Sequence, residues 1–343
     1  MKHTPSPTIH LALASRRVLF TALAAAGVLT ACGGGDDLPA GPKSIEIRFS
    51  TVAAGRAVDC ATPSITNLGT TNATGRLRDA RFYVMNASLV REDGVEVPIT
   101  LPANDNWNAT VGSDRVTLID LENKTGACNG TAEVNTALKG TVPAGKYNGL
   151  KMMVGVPFAL NHTNQAAGLD VTPAVVNNAV HPGMAWAWAG GRKFAKIELV
   201  DELADAPAGT PNKWSAAVFN VHLGSIGCTG TNPAAGQVDQ CRAPNRMAVE
   251  FRDFDVDRQQ VLVDVAALVA NNDVTRNVSG PTGCMSGLSD FECSGVFTAL
   301  QIGFDGAAPE GASYTVGKVG DPSNYGLPIA GGAGQTVFKV GNR

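Results

Sequence analysis

The sequence predicts an all-β fold, an antiparallel β-sandwich with long loops, stapled by disulfides. Three observations carry this. Short segments alternate apolar and polar residues with a period of two, the pattern of a half-buried strand. Turn-forming clusters separate them, in a chain with 39 Gly and 19 Pro among 343 residues. Six cysteines follow a secretion-type leader, an even number for an oxidising compartment. Composition removes the main rivals. Hydrophobic residues at 44% are enough to bury a core, against disorder, and charged residues at 17% are too few for a coiled coil. The net charge of −3 and the lack of any basic cluster longer than Arg16-Arg17 argue against a nucleic-acid binder.

Residues 1–31 read as a lipoprotein signal peptide. Arg16-Arg17 precedes an apolar run, Val18 to Ala31, which is shorter than the ~20 residues that a spanning helix needs. The run ends Leu29-Thr30-Ala31-Cys32, the lipobox pattern, with Cys32 as the lipidation site. An acyl chain on that thiol supplies ~0.8 kcal/mol per buried methylene. Residues 32–43 read as a flexible tether. Gly33, not Asp, follows Cys32, so the rule for inner-membrane retention is not met. The expected location is the periplasm, lipid-anchored at the outer membrane. Removal of the leader takes away three basic residues and no acid, so the mature chain carries about −6, which suits solubility.

Residues 44–343 are expected to form a single domain. Ser44 to Phe49 alternates strictly. Ala80 to Leu89, Val95 to Leu101, Val116 to Leu121, Tyr147 to Val156, Lys193 to Leu199, Ala216 to Leu223, Met247 to Phe251 and Gln260 to Val265 have the same character. Val263 to Val269 and Thr131 to Lys139 are the two stretches with helical spacing, and Asn161 to Val180 reads as a long loop. Asp253 to Asp257 reads as a solvated strand face, although three carboxylates there are also a calcium pattern. The disulfide candidates are Cys60, Cys128, Cys228, Cys241, Cys284 and Cys293. Six cysteines permit fifteen connectivities. Short loops favour Cys228–Cys241 and Cys284–Cys293, which leaves Cys60–Cys128, but spacing does not choose. A thiolate metal site is the rival reading, and no C-x-x-C pair supports it.

Three histidines follow the leader: His162, His181 and His222. Between the outer two lies Met184-Ala-Trp186-Ala-Trp188-Ala-Gly-Gly-Arg-Lys-Phe194. In a strand, residues two apart share a face, which would put both indoles on one side. The plain reading of Trp186 and Trp188 is core packing, or a stacking platform in a non-metal, glycan- or protein-binding surface lipoprotein. Trp107 and Trp214 have no motif around them and read as packing residues. No nucleophile–base spacing supports a hydrolase, and Gly224-Ser225-Ile-Gly-Cys228 is not a nucleophile elbow.

The ordered pieces Asn161-His162, Met184-x-Trp186-x-Trp188-x-Gly-Gly-x-Lys193-Phe194 and His222-Leu-Gly-Ser-x-Gly-Cys228 resemble the signature of the MbnP-like copper proteins, also called metallo-mystery pair four-Cys proteins. Gly145 to Leu150 before Val154-Gly-Val-Pro157, and the late Cys284 and Cys293, fit as well. The resemblance covers most of residues 44–304. It implies that a secreted di-haem cytochrome c peroxidase-like (MbnH-like) partner oxidises one of Trp186 and Trp188 to kynurenine. It also implies copper as the bound metal, held by that residue with His162 and His222; His181, outside the motif pieces, is a further candidate. The chemistry is coherent. An indole N–H only donates, whereas the aromatic amine of kynurenine carries a lone pair. Imidazole suits copper. No c-type haem motif occurs in this chain, so the oxidising power would come from the partner, and the chain is expected to be a substrate and metal carrier, not an enzyme. Three features depart from the pattern: Ala185, Ala187 and Ala189 flank the tryptophans, Arg192 stands where an aromatic is expected, and six cysteines beyond Cys32 replace four.

Overall fold

The computed structural model describes residues 41–163, 173–186 and 191–343. The leader, Cys32, most of the tether and Trp188 lie outside the described residues. Nineteen strands run through the described chain. The first nine are β1 (Lys43–Ala53), β2 (Arg56–Ala57), β3 (Ile65–Leu68), β4 (Ala73–Arg91), β5 (Glu96–Pro98), β6 (Asn108–Val111), β7 (Asp114–Asp120), β8 (Ala137–Val142) and β9 (Tyr147–Val154). A short helix α1 (Phe158–Asn161) leads to β10 (Ala185–Trp186), β11 (Gly191–Arg192), β12 (Ala195–Asp201), β13 (Val218–Leu223), β14 (Ile226–Thr229), β15 (Gln240–Ala243), β16 (Met247–Phe251) and β17 (Gln259–Asp264). Helix α2 (Val265–Leu268), β18 (Gly283–Cys284), α3 (Cys293–Leu300) and β19 (Phe338–Asn342) complete the chain.

The strands form a large sheet with the path β16-β9-β4-β12-β13-β18, to which β3, β5, β6 and β7 add, and a smaller one, β19-β17-β1-β2, joined by β8. Two ribbons stand apart, β10-β11 and β14-β15. The fold is all-β, as expected, and most pairs are antiparallel. Two are parallel: β1 with β17 and β13 with β18. Both join strands far apart in sequence, where no hairpin dictates direction. The inner faces meet through edge-on aromatic contacts, Phe49 on Phe82 at 5.5 Å and Phe82 on Phe338 at 5.4 Å. Residues 39–343 make one compact unit.

The 19-residue strand β4 is the spine. Leu77, Phe82 and Val84 are core residues, but Asp79, Arg81 and Tyr83 are equally buried. The reason is a cover on the outer face of the large sheet. Tyr83 Oη donates to the Val175 carbonyl at 3.0 Å, and Arg81 Nη1 to the Pro182 carbonyl at 3.0 Å. The segment after α1 thus closes over charged residues that alternation alone would send into water. Thr131 to Lys139, read as helical, is irregular before β8; α2 falls inside the other helical stretch. Asp253 to Asp257 is a turn and not a strand face: Asp255 accepts the Asp257 N–H at 2.9 Å, and Asp257 pairs with Lys43.

Candidate metal centre

Within the Met184–Phe194 motif β10 and β11 pair antiparallel, with Trp186 directly opposite Gly191. Two glycines make room for this arrangement. A Cβ on Gly191 would come within 2.9 Å of Asn161 Oδ1, and one on Gly224 within 2.3 Å of the Trp186 ring. The Trp186 indole therefore packs against the Gly224 backbone, two residues beyond His222. It is only 4% exposed and packs with Ile226 and Ala243 of the β14-β15 ribbon, flanked by Met285 and Leu288. That burial removes Trp186 as a stacking platform for a ligand.

His162 follows α1 at its C-cap, with its ring 4.6 Å from the exposed Phe158 ring. Asn161 sets its protonation. The Asn161 Oδ1 accepts the Arg192 backbone N–H at 2.7 Å, so its amide nitrogen faces His162 Nε2, 3.1 Å away. An amide N–H donates only into an unprotonated nitrogen, which puts the lone pair on His162 Nε2. The same nitrogen lies 3.4 Å from Cys241 Sγ. Arg192, the departure from the family pattern, has a structural task. Fully buried, it donates to the carbonyls of Val176 (2.6 Å) and Asn161 (3.2 Å) and to Thr163 Oγ1 (2.7 Å), which pins the His162 segment to the hairpin.

His222 lies on the outer face of the large sheet, opposite Lys196. Its Nε2 donates to Glu198 Oε1 at 2.7 Å, which leaves the lone pair on Nδ1. Burial pushes the His222 pKa below its ordinary value, against the pull of Glu198, so the ring is neutral at pH 7. Burial alone would raise Glu198, but the His222 hydrogen bond and the Lys196 ammonium overrule it and hold the carboxylate down to about 2. Lys196 also bonds Asp79 at 2.5 Å, and Asp79 grips Arg81 through two bonds of 2.9 and 2.6 Å. Lys193, which donates to the Gly183 carbonyl at 2.6 Å, is brought down to about 8 by burial and by Lys196.

His181 is turned elsewhere. Its Nε2 sits 2.5 Å from the Asn106 carbonyl, an acceptor only, and its ring lies 4.9 Å from that of Trp107. Trp107 is thus half-buried against this histidine, and Trp214 is a core residue. The structure brings Trp186 to both histidine segments: to Asn161-His162 through Gly191, and to His222 through Gly224. Sequence reasoning missed Glu198. The available signal was Lys196-Ile-Glu198-Leu, alternating charges on the strand paired with the histidine strand.

The cysteines pair as Cys60–Cys128, Cys228–Cys241 and Cys284–Cys293, the scheme that short loops favour. The last of these steadies the loop whose Ser286 hydroxyl donates to the His222 carbonyl at 2.9 Å and accepts the Gly224 N–H at 3.3 Å.

Comparison with known proteins shows the family. The MbnP family model matches residues 42–286. A solved structure, MbnP from Methylosinus trichosporium, is 31% identical, covers 88% of this chain and 99% of its own, and superposes with a TM-score of 0.69. A search of curated proteins gave no match. With its matched segment reaching from β1 to the loop after β18, and with the hairpin, both histidine segments and their glycine seats inside it, the chain belongs to the MbnP family.

Proposed function

We propose that this protein is a lipid-anchored periplasmic copper-binding protein. Copper is held by His162, His222 and a kynurenine made from a tryptophan of the Trp186-x-Trp188 motif by a di-haem peroxidase-like partner. The observation that carries the reading is the seating of Trp186 between the two histidine segments, against Asn161's neighbour Gly191 on one side and Gly224 on the other. The residues fit the metal. In His222 the Glu198 contact leaves the lone pair on Nδ1, and in His162 the Nε2 lone pair accepts from the Asn161 amide, a hydrogen bond that a metal on that nitrogen would replace. A carboxylate behind a ligating histidine is the usual way to lock its tautomer and raise its basicity. Copper would supply affinity for these nitrogen donors and no reaction on a substrate.

The chain's own contribution is positioning, so it is a substrate of the partner and not an enzyme. The close approach at Gly224 holds the indole in one place while the oxidising equivalents come from outside. Ring opening then replaces an N–H donor with an amine lone pair. Co-expression with the partner should raise the intact mass by about 4 Da, one carbon lost and one oxygen gained, within the peptide Met184 to Phe194. Copper stoichiometry should follow that mass shift and fall on His162→Ala or His222→Ala. An unmodified peptide in the presence of active partner, with copper bound at full stoichiometry, would end the proposal. Cys32→Ser should move the protein from the membrane to the soluble fraction.

A further inference from the structure

Among the described residues, two clusters bring three potential metal-binding atoms within 4.8 Å of one another: His162 with Cys228 and Cys241, and Glu122 with Cys60 and Cys128. Each contains a disulfide. They differ in access. Cys60, Cys128 and Glu122 are buried, as are Cys284 and Cys293. Cys228 and Cys241 are half-buried, on a two-stranded ribbon. Thiol–disulfide exchange requires a thiolate to reach a sulfur, so this pair is the one open to reduction without unfolding.

The ribbon has other anchors. Cys228 sits directly opposite Cys241 in its register. At its base, Ile226 and Ala243 pack on Trp186, Ser225 Oγ donates to the Pro244 carbonyl at 2.9 Å, and Asn245 Nδ2 donates to the Gly224 carbonyl at 2.8 Å. Opening the S–S bond therefore leaves two thiols facing each other across the strands, beside the His162 Nε2 lone pair.

We propose that Cys228–Cys241 is a reducible cover on a second metal site, in which Cys228, Cys241 and His162 bind a soft d10 cation. The reduction balances with a dithiol as reductant. The dithiol loses two electrons and two protons and closes to its own disulfide, while each cysteine sulfur gains one electron and one proton. A divalent cation then displaces both thiol protons to solvent. Zn–S bonds of about 2.3 Å place two thiolates on one tetrahedral ion about 3.8 Å apart, inside the observed cluster. Two thiolates and a neutral imidazole cancel a double positive charge, which favours a zinc-class ion over a cuprous one at a half-buried position. The site needs neither kynurenine nor His222, and it shares only His162 with the copper reading.

The test uses protein made without the haem partner, with both indoles intact. It is treated with limiting dithiothreitol, desalted without oxygen, and divided between alkylation with peptide mapping and titration with Cd²⁺. Thiols should appear at Cys228 and Cys241 before the other four cysteines. One Cd²⁺ should bind per chain with a thiolate-to-metal ultraviolet band, absent from the oxidised protein and weakened in His162→Ala. Reduction that opens Cys60–Cys128 or Cys284–Cys293 first, no Cd²⁺ uptake by the reduced chain, or unchanged affinity in His162→Ala would each overturn the proposal. A Cys228→Ser/Cys241→Ser double variant should lose the band; if it fails to fold, the oxidised and reduced forms of the native chain still decide.

Discussion

The two faces of the large sheet are both buried, but by different chemistry. The inner face carries Phe82, Ile197, Leu199, Phe219 and Val221 against the second sheet. The outer face carries Asp79, Arg81, Lys196, Glu198 and His222 beneath the segment that follows α1. The inner face is held by area removed from water, which is indifferent to direction. The outer face is held by paired charges, each fixed to a named partner, and this directional lattice is what sets a histidine's tautomer. One face supplies stability, and the other converts part of it into orientation.

The largest effects should come from emptying either face. Phe82→Ala removes a ring that bridges both sheets and should cost about 3–5 kcal/mol in denaturant unfolding. Asp79→Ala should cost a similar ~3–5 kcal/mol, because Arg81 and Lys196 are left buried without their shared counter-ion. If Asp79→Ala proved nearly neutral, the outer face would be packing and not a charge lattice. A middle-sized effect sharpens the contrast. Glu198→Gln should weaken copper binding by about 10- to 100-fold while its stability changes less than that of Asp79→Ala. Equal loss of stability and affinity would mean that Glu198 serves only the fold.

The smallest effect is a slope. Burial pushes the Asp120 carboxyl, at the edge of the charged layer, up to about 8 despite the Arg81 charge. The folded state then keeps a proton that the unfolded chain releases near its ordinary value of 3.8. Its contribution is fully present below that value and is lost as pH rises toward 8. Asp120→Asn should flatten this decline, so the variant gains on the native protein between pH 5 and pH 8 in chemical denaturation. A parallel pair of pH profiles would contradict the shift.

The strands were legible because alternation and turn residues agree with the global fold, as at Met247 to Phe251, which matches β16 at both ends. Loop length favoured the disulfide scheme without fixing it, and the ordered motifs marked the tryptophan and histidine segments. The charged outer face was not legible. Period-two alternation by itself would send Lys196 and Glu198 to the solvent side of a strand, and only the tertiary cover buries them. Helix α3 escaped because Cys293 to Leu300 is only eight residues long and its polar side is just Ser294 and Thr298, too little to establish a helical period. The parallel β1-β17 pair escaped because no local signal joins strands so far apart.

The last strand has a consequence for synthesis. β1 lies beside β17, and β17 beside β19, so residues 338–342 cover the edge of the sheet that β1 begins. In the chain β17 ends more than seventy residues before that partner begins. Until β19 is in place, β17 presents an unpaired row of amides and carbonyls, an edge that invites pairing with another chain.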